Sequence, residues 1–216
     1  NVPKAMGLGG SSALAVAIIR AIDHHFKTKL SDNEINELAY QCEKAAHGTP
    51  SGVDNTVATF GTPLFYQKVD DQPTFEEIKI GQPIELVVGI TGLESLTAET
   101  VAKVRRAWKH SPERYESLFD QIAQLTTSSL ECLKTGKVEE LGELMNLCHG
   151  YLNALQLSTP ELEELVHIAR THGALGAKLT GGGGGGSMIA LCQDNKEEIQ
   201  EAMHKAGYQT LPYTIS

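Results

Sequence analysis

Six consecutive glycines, residues 181–186, lie between two short apolar segments, residues 177–180 and 188–192. Glycine surrenders more backbone freedom on ordering than any other residue, so such a run is costly to fix in place. A flexible linker would accept it, but linkers rarely join two segments that read as short strands. Ordering on a ligand, or a backbone that must approach a ligand closely, would justify the cost. The order strand, glycines, strand also argues against a dinucleotide-binding fold, which needs a helix after its glycine turn.

A second glycine-rich stretch stands near the front, Gly7-Leu8-Gly9-Gly10-Ser11-Ser12. A helix is expected directly after it, because Ala13, Leu14, Ala17, Ile18, Ala21 and Ile22 recur at helical spacing. Glycines let successive N–H groups turn inward, and the helix start adds partial positive charge, so this arrangement suits an anion. The dipole supplies only about 0.3–1 kcal/mol, and hydrogen bonds must do most of the holding. An ordinary helix cap after a flexible loop is the competing reading. Neither stretch is a P-loop, since no Gly-x-x-x-x-Gly-Lys-Ser/Thr occurs.

Between and beyond these loops the chain reads as α+β. Ser31-x-x-Glu34 is a capping box for a second helix that fades near His47. Residues 64–68 and 84–91 read as strands, the second nearly all apolar and so buried on both faces. Helices are expected over residues 97–110, 112–133, 138–155 and 160–172, with Pro112 and Pro160 as first-turn prolines behind the capping residues Ser111 and Thr159. A helix over 196–206 and a strand over 208–213 close the chain. No fixed repeat links these elements, which excludes a solenoid. A domain boundary is placed near Gln82-Pro83, giving units of 1–82 and 83–216.

Composition removes several partners. Lysine plus arginine number 18 against 27 aspartates and glutamates, a net charge of −9, so neither nucleic acid nor an anionic membrane finds a basic surface. The longest aliphatic run, residues 13–19, is too short to span a bilayer. Asn1-Val2-Pro3-Lys4 has no secretion-signal character, and four widely spaced cysteines (Cys42, Cys132, Cys148, Cys192) fit a reducing compartment. A cytoplasmic location is expected.

Glu43 and His47 share one helical face, and Asp54 follows after the turn Gly48-Thr49-Pro50-Ser51-Gly52. Magnesium takes one or two carboxylates together with phosphate oxygens and water, so Glu43 with a serine hydroxyl of the first loop would suit it. A solvated helix face for Glu43 and a helix cap before Asn55-Thr56-Val57 for Asp54 are the plainer alternatives. The eight histidines form no His-Glu-x-x-His, which argues against zinc, and no Gly-x-Ser-x-Gly elbow marks a serine hydrolase.

Taken together, these motifs resemble those of the GHMP small-molecule kinases. Pro3-x-x-x-Gly7-Leu8-Gly9-Gly10-Ser11-Ser12-Ala13-Leu14 is similar to the family's ATP loop, and Lys178-Leu179-Thr180 with the glycine run and Ser187-Met188-Ile189-Ala190-Leu191 to its C-terminal glycine motif. Glu43-x-x-x-His47-Gly48-Thr49-Pro50-Ser51-Gly52-Val53-Asp54-Asn55 resembles the mevalonate-phosphorylating branch. The resemblance implies a two-lobed fold, with an incomplete N-terminal lobe like domain 2 of ribosomal protein S5 and a ferredoxin-like C-terminal lobe. It implies ATP and Mg2+ between the lobes and mevalonate as the acceptor. Asp54 matches the catalytic aspartate, and Glu43 and Ser11 match magnesium ligands. Gly7, Leu8, Gly9, Gly10, Ser11, Ser12, Gly182, Gly183 and Gly184 match nucleotide contacts, and His47, Thr97, Thr180 and Gly181 match positions beside the substrate. A homodimer is a further implication.

The pattern departs from the family at several points. Gly10 replaces a usual serine, Gly182 a usual alanine, Ser187 a common cysteine and Glu94 a common proline, and no basic residue precedes Thr97. A Pro-Gly-Lys-like motif is absent, and Lys4 does not replace its lysine. The expectation is therefore a shortened or cleaved kinase, with apolar faces left for a companion N-terminal fragment. The other readings are a sibling kinase for phosphomevalonate or another small alcohol, a non-catalytic nucleotide-binding fragment and, more remotely, a nicotinamide-dependent oxidoreductase.

Overall fold

The computed structural model describes residues 6–48, 50–69, 72–95 and 97–216, with the His47 side chain outside that set. Lys4 and Thr49 of the sequence motifs fall outside it as well. The described residues form two compact units, one of residues 9–79 and one of residues 80–216 joined by residues 6–8. The first glycine loop is thus divided, with Gly7 and Leu8 belonging to the second unit and the residues from Gly9 onward to the first.

The first unit holds α1 (Gly10–Phe26), α2 (Asp32–His47), α3 (Val53–Phe60) and the antiparallel hairpin β1 (Leu64–Val69) and β2 (Gln72–Glu77). Helix α2 starts at the expected capping box: Ser31 N donates to Glu34 Oε2 at 2.8 Å and Glu34 N returns a bond to Ser31 Oγ at 3.4 Å. Two orphan helix-end donors are satisfied together in this way. Among the described residues, Val16, Ile35 and Ala39 form the buried apolar core here. On α1, Leu14, Ile18, Ile22 and Phe26 recur every fourth residue and are 50–69% exposed. Their spacing puts them on one face of the helix, an apolar stripe in contact with solvent.

The second unit holds β3 (Ile84–Ile90), α4 (Thr97–His110), α5 (Pro112–Thr135), α6 (Val138–Ala154), α7 (Pro160–Thr171), β4 (Gly176–Thr180), β5 (Ser187–Cys192), α8 (Lys196–Lys205) and β6 (Gln209–Ile215). Its sheet runs β4-β5-β3-β6 with every neighbour antiparallel. That order is the ferredoxin-like arrangement, here with several helices between the first two strands. Along β5, Met188, Ala190 and Cys192 pack with Leu162, Leu165 and Val166 of α7 and Ile199 and Met203 of α8. The alternate residues Ile189 and Leu191 pack with Leu141 and Met145 of α6 and Cys132 of α5. Both sheet faces are therefore covered, which is why β3 reads as a nearly continuous apolar run. Each fully buried leucine or methionine contributes about 1.5–3 kcal/mol relative to exposure.

Close packing of α6 on the start of β4 needs two glycines. A Cβ on Gly142 would stand 2.6 Å from the Leu175 carbonyl oxygen, and one on Gly176 would stand closer still to the Gly142 carbonyl. Helix α7 opens as expected, with Pro160 in its first turn and Thr159 Oγ1 accepting from Leu162 N at 3.4 Å. Helix α5 does so only in part: Pro112 is in the first turn, but the Ser111 side chain makes no capping bond. Among the described residues no helix is long and apolar enough to cross a membrane, and all four cysteines are free thiols.

Candidate active site

In the first unit the expected residues collect at the N-termini of α1 and α3. Gly9 caps α1 at φ 68°, in the left-handed region open to glycine, and no side chain caps the helix. Gly9 has no side chain to offer the first-turn N–H groups of α1, and a helix start of this kind suits an anion. Asp54 is the second residue of α3, exposed, with its carboxylate beside Gly9. A Cβ on Gly9 would lie 3.5 Å from Asp54 Oδ1. The cap of α3 is Gly52, at φ 93°, so Asp54 lies in the first turn rather than at the cap.

Glu43 is only 6% exposed, and Ser11 Oγ donates to its Oε1 at 2.9 Å. The plainer expectation of a solvated Glu43 therefore fails: this carboxylate is buried and held against the first loop. Ser12, one residue on, is fully buried, and its hydroxyl has no hydrogen-bond partner among the described residues. Among the described residues no group of three or more histidine, cysteine, aspartate or glutamate side chains is placed to hold a metal. The Glu43–Ser11 pair supplies oxygen donors alone, which fits a hard cation that takes its other ligands from phosphate and water.

The second unit carries the other group. The glycine run joins β4 to β5 as a hairpin connection, with Thr180 at the end of β4. Gly181 lies against the front loop, where an added Cβ would be 2.9 Å from the Gly7 carbonyl oxygen. Ser187 Oγ donates to the Met6 carbonyl at 2.9 Å and fastens that loop to the end of the run. The run itself is tied down rather than loose. Gly184 N donates to Leu157 O at 2.8 Å and Gly186 N to Leu93 O at 2.9 Å. Thr91 Oγ1 donates to Gly186 O at 2.8 Å, and Ser95 Oγ to Gly183 O at 2.9 Å. Thr97 opens α4 with its hydroxyl 3.3 Å from that of Ser95. Next to Thr180, burial pushes the Lys178 ammonium below its ordinary value, and its amine donates to Leu179 O at 2.8 Å.

The first unit therefore brings together Gly9, Gly10, Ser11, Ser12, Glu43 and Asp54, and the second brings together Gly7, Leu8, Thr97, Thr180 and residues 181–184. The hydroxyls of Thr91, Ser95 and Ser187 were missed as determinants of loop shape. A hydroxyl that binds a carbonyl 88 or 95 positions away leaves no local trace in sequence.

Comparison with known proteins gives a consistent answer. Residues 1–62 match the family GHMP kinases N terminal domain, and residues 129–209 match GHMP kinases C terminal. The mevalonate kinase of Thermococcus sibiricus is 38% identical over 221 residues, covering 100% of this chain and 65% of its own length. That of Pyrococcus abyssi is 41% identical over 212 residues, covering 96% and 62%. The chain thus spans a little under two thirds of these curated relatives. The crystal structure of L. major mevalonate kinase in complex with R-mevalonate matches with a TM-score of 0.91 at 34% identity, covering 100% of this chain and 68% of that one.

Proposed function

Because the chain belongs to the GHMP kinase family, we propose that it transfers the γ-phosphoryl group of ATP to the primary hydroxyl of mevalonate, giving 5-phosphomevalonate. The observation that carries this reading is the Asp54 carboxylate against Gly9, the glycine cap of α1, together with the Ser11–Glu43 pair. Relatives named mevalonate kinase support the choice of acceptor.

In this reading residues 1–82 are the remainder of the ATP-binding lobe and residues 83–216 the C-terminal lobe. The N–H groups of Gly10, Ser11 and Ser12 bind phosphate oxygens. Glu43 and Ser11 hold Mg2+, which when bound neutralises charge on the phosphates. Asp54 orients the acceptor hydroxyl and takes its proton as the new O–P bond forms and the bond to ADP breaks. Such transfer depends on positioning and charge stabilisation more than on covalent chemistry. The hairpin of glycines, pinned by Thr91 and Ser95, supplies an ordered backbone wall to a bound ligand. The exposed stripe of Leu14, Ile18, Ile22 and Phe26 supports a companion segment over the first unit.

ADP release measured with a panel of small alcohols tests the proposal. Mevalonate-dependent, Mg2+-dependent release is expected. Release with phosphomevalonate alone would move the reading to a sibling kinase, and ATP binding with no release would move it to a non-catalytic fragment.

A further inference from the structure

Ser95 decides the direction of a short proton chain. Its hydroxyl donates to Gly183 O at 2.9 Å and lies 3.3 Å from Thr97 Oγ1. A serine hydroxyl has one proton and a carbonyl oxygen has none. With the Ser95 proton committed to Gly183, the second bond must run from Thr97 to Ser95. Thr97, exposed at the start of α4, therefore spends its own proton inward and keeps its oxygen as an acceptor.

Gly182 gives this arrangement its room. A Cβ there would stand 2.8 Å from Thr97 Cγ2 and 3.1 Å from Thr97 Oγ1. Unlike its neighbours Gly181 and Gly183, Gly182 is not at positive φ, so the backbone does not demand glycine at this position. What glycine provides here is room for the Thr97 side chain in this rotamer.

We propose that Ser95 is a positioning residue, cleared by Gly182, that makes the Thr97 hydroxyl an acceptor for a hydroxyl of the acceptor substrate rather than a donor to a phosphate oxygen. This inference rests on the kinase reading above. It sets how the acceptor is recognised.

Steady-state kinetics of the full chain provide the test, with Ser95→Ala, Thr97→Val, the double variant and Gly182→Ala. Loss of one such hydrogen bond is expected to raise the acceptor KM about 3–10-fold in Ser95→Ala, with the KM for ATP unchanged. The double variant should be no worse than Thr97→Val alone, because the two side chains act as one unit. Gly182→Ala should reproduce the Ser95→Ala effect. Adding Thr97→Ser, which removes the crowding methyl, should restore the parent KM. Multiplying effects in the double variant, a shift in the ATP constant instead, or a silent Gly182→Ala would overturn the proposal. Amide exchange over residues 181–187 covers the case in which no alcohol is turned over and the kinase reading itself falls. Exchange should quicken at least about 3-fold in Ser95→Ala and stay unchanged in Thr97→Val, and identical exchange in Ser95→Ala and the parent would sink the positioning role.

Discussion

Replacing Asp54 by asparagine removes one negative charge and leaves the shape of the side chain nearly unchanged. The residue is exposed in the first turn of α3, and its interaction with the helix dipole is worth about 0.3–1 kcal/mol. For a protein of this size, loss of that interaction lowers Tm by about 2–4 °C. The chemical step should suffer far more. A positioned base contributes roughly 10²–10⁴-fold, equivalent to about 2.7–5.4 kcal/mol of barrier. ATP affinity should hold, since the N–H groups proposed to bind phosphate belong to α1. The assay pairs ADP release at saturating substrates with calorimetric titration of ATP. A kcat within tenfold of the parent would refute the role assigned to Asp54. So would weakened ATP binding with unaltered turnover of bound nucleotide.

Other perturbations test separate parts of the account. Glu43→Gln keeps the acceptor for Ser11 Oγ but removes the charge, so the Mg2+ concentration for half-maximal rate should rise by roughly 10–100-fold; an unchanged Mg2+ titration would remove Glu43 from the metal site. Gly207→Ala and Gly183→Ala both place alanine at positive φ, but only at Gly183 would the Cβ also meet a backbone carbonyl, that of Leu157. Denaturation midpoints should show a cost of about 1–2 kcal/mol for Gly207→Ala and roughly 1–3 kcal/mol more for Gly183→Ala, and equal costs would contradict the close approach. His149 is buried, with Nδ1 accepting from Leu179 N at 3.3 Å and Nε2 3.0 Å from Glu163. Burial pushes its imidazole below the ordinary value, against an opposing pull from Glu163. The fold thus prefers the neutral ring, and the stability it contributes is complete above about pH 6.5 and is lost as pH falls through the lower folded value. Midpoints should drop as pH falls below about 6.5, and His149→Asn should flatten that drop.

Much of the fold could be read from local signals. The capping box at Ser31, the prolines at 112 and 160 and the apolar run of β3 each name their element through residues a few positions apart. Strand β2 escaped because every one of its residues is exposed and Pro73, Glu76 and Glu77 give it no alternating apolar face. Helix α3 was half visible: the Asp54 region read as a cap, whereas Gly52 takes that place through its left-handed backbone. The Ser11–Glu43 pair could be guessed from chemistry, since a buried carboxylate and a hydroxyl suit one cation. The Ser95 chain could not. It depends on a loop 88 residues away arriving within 2.9 Å, and on the space that Gly182 leaves beside Thr97.

The account stands most directly on where the phosphate goes. Phosphorus NMR of the full chain incubated with ATP, Mg2+ and mevalonate should show ADP and one new monoester, split by the two protons of a primary carbon. A monoester on a secondary or tertiary oxygen, or inorganic phosphate as the sole product beside ADP, would contradict it.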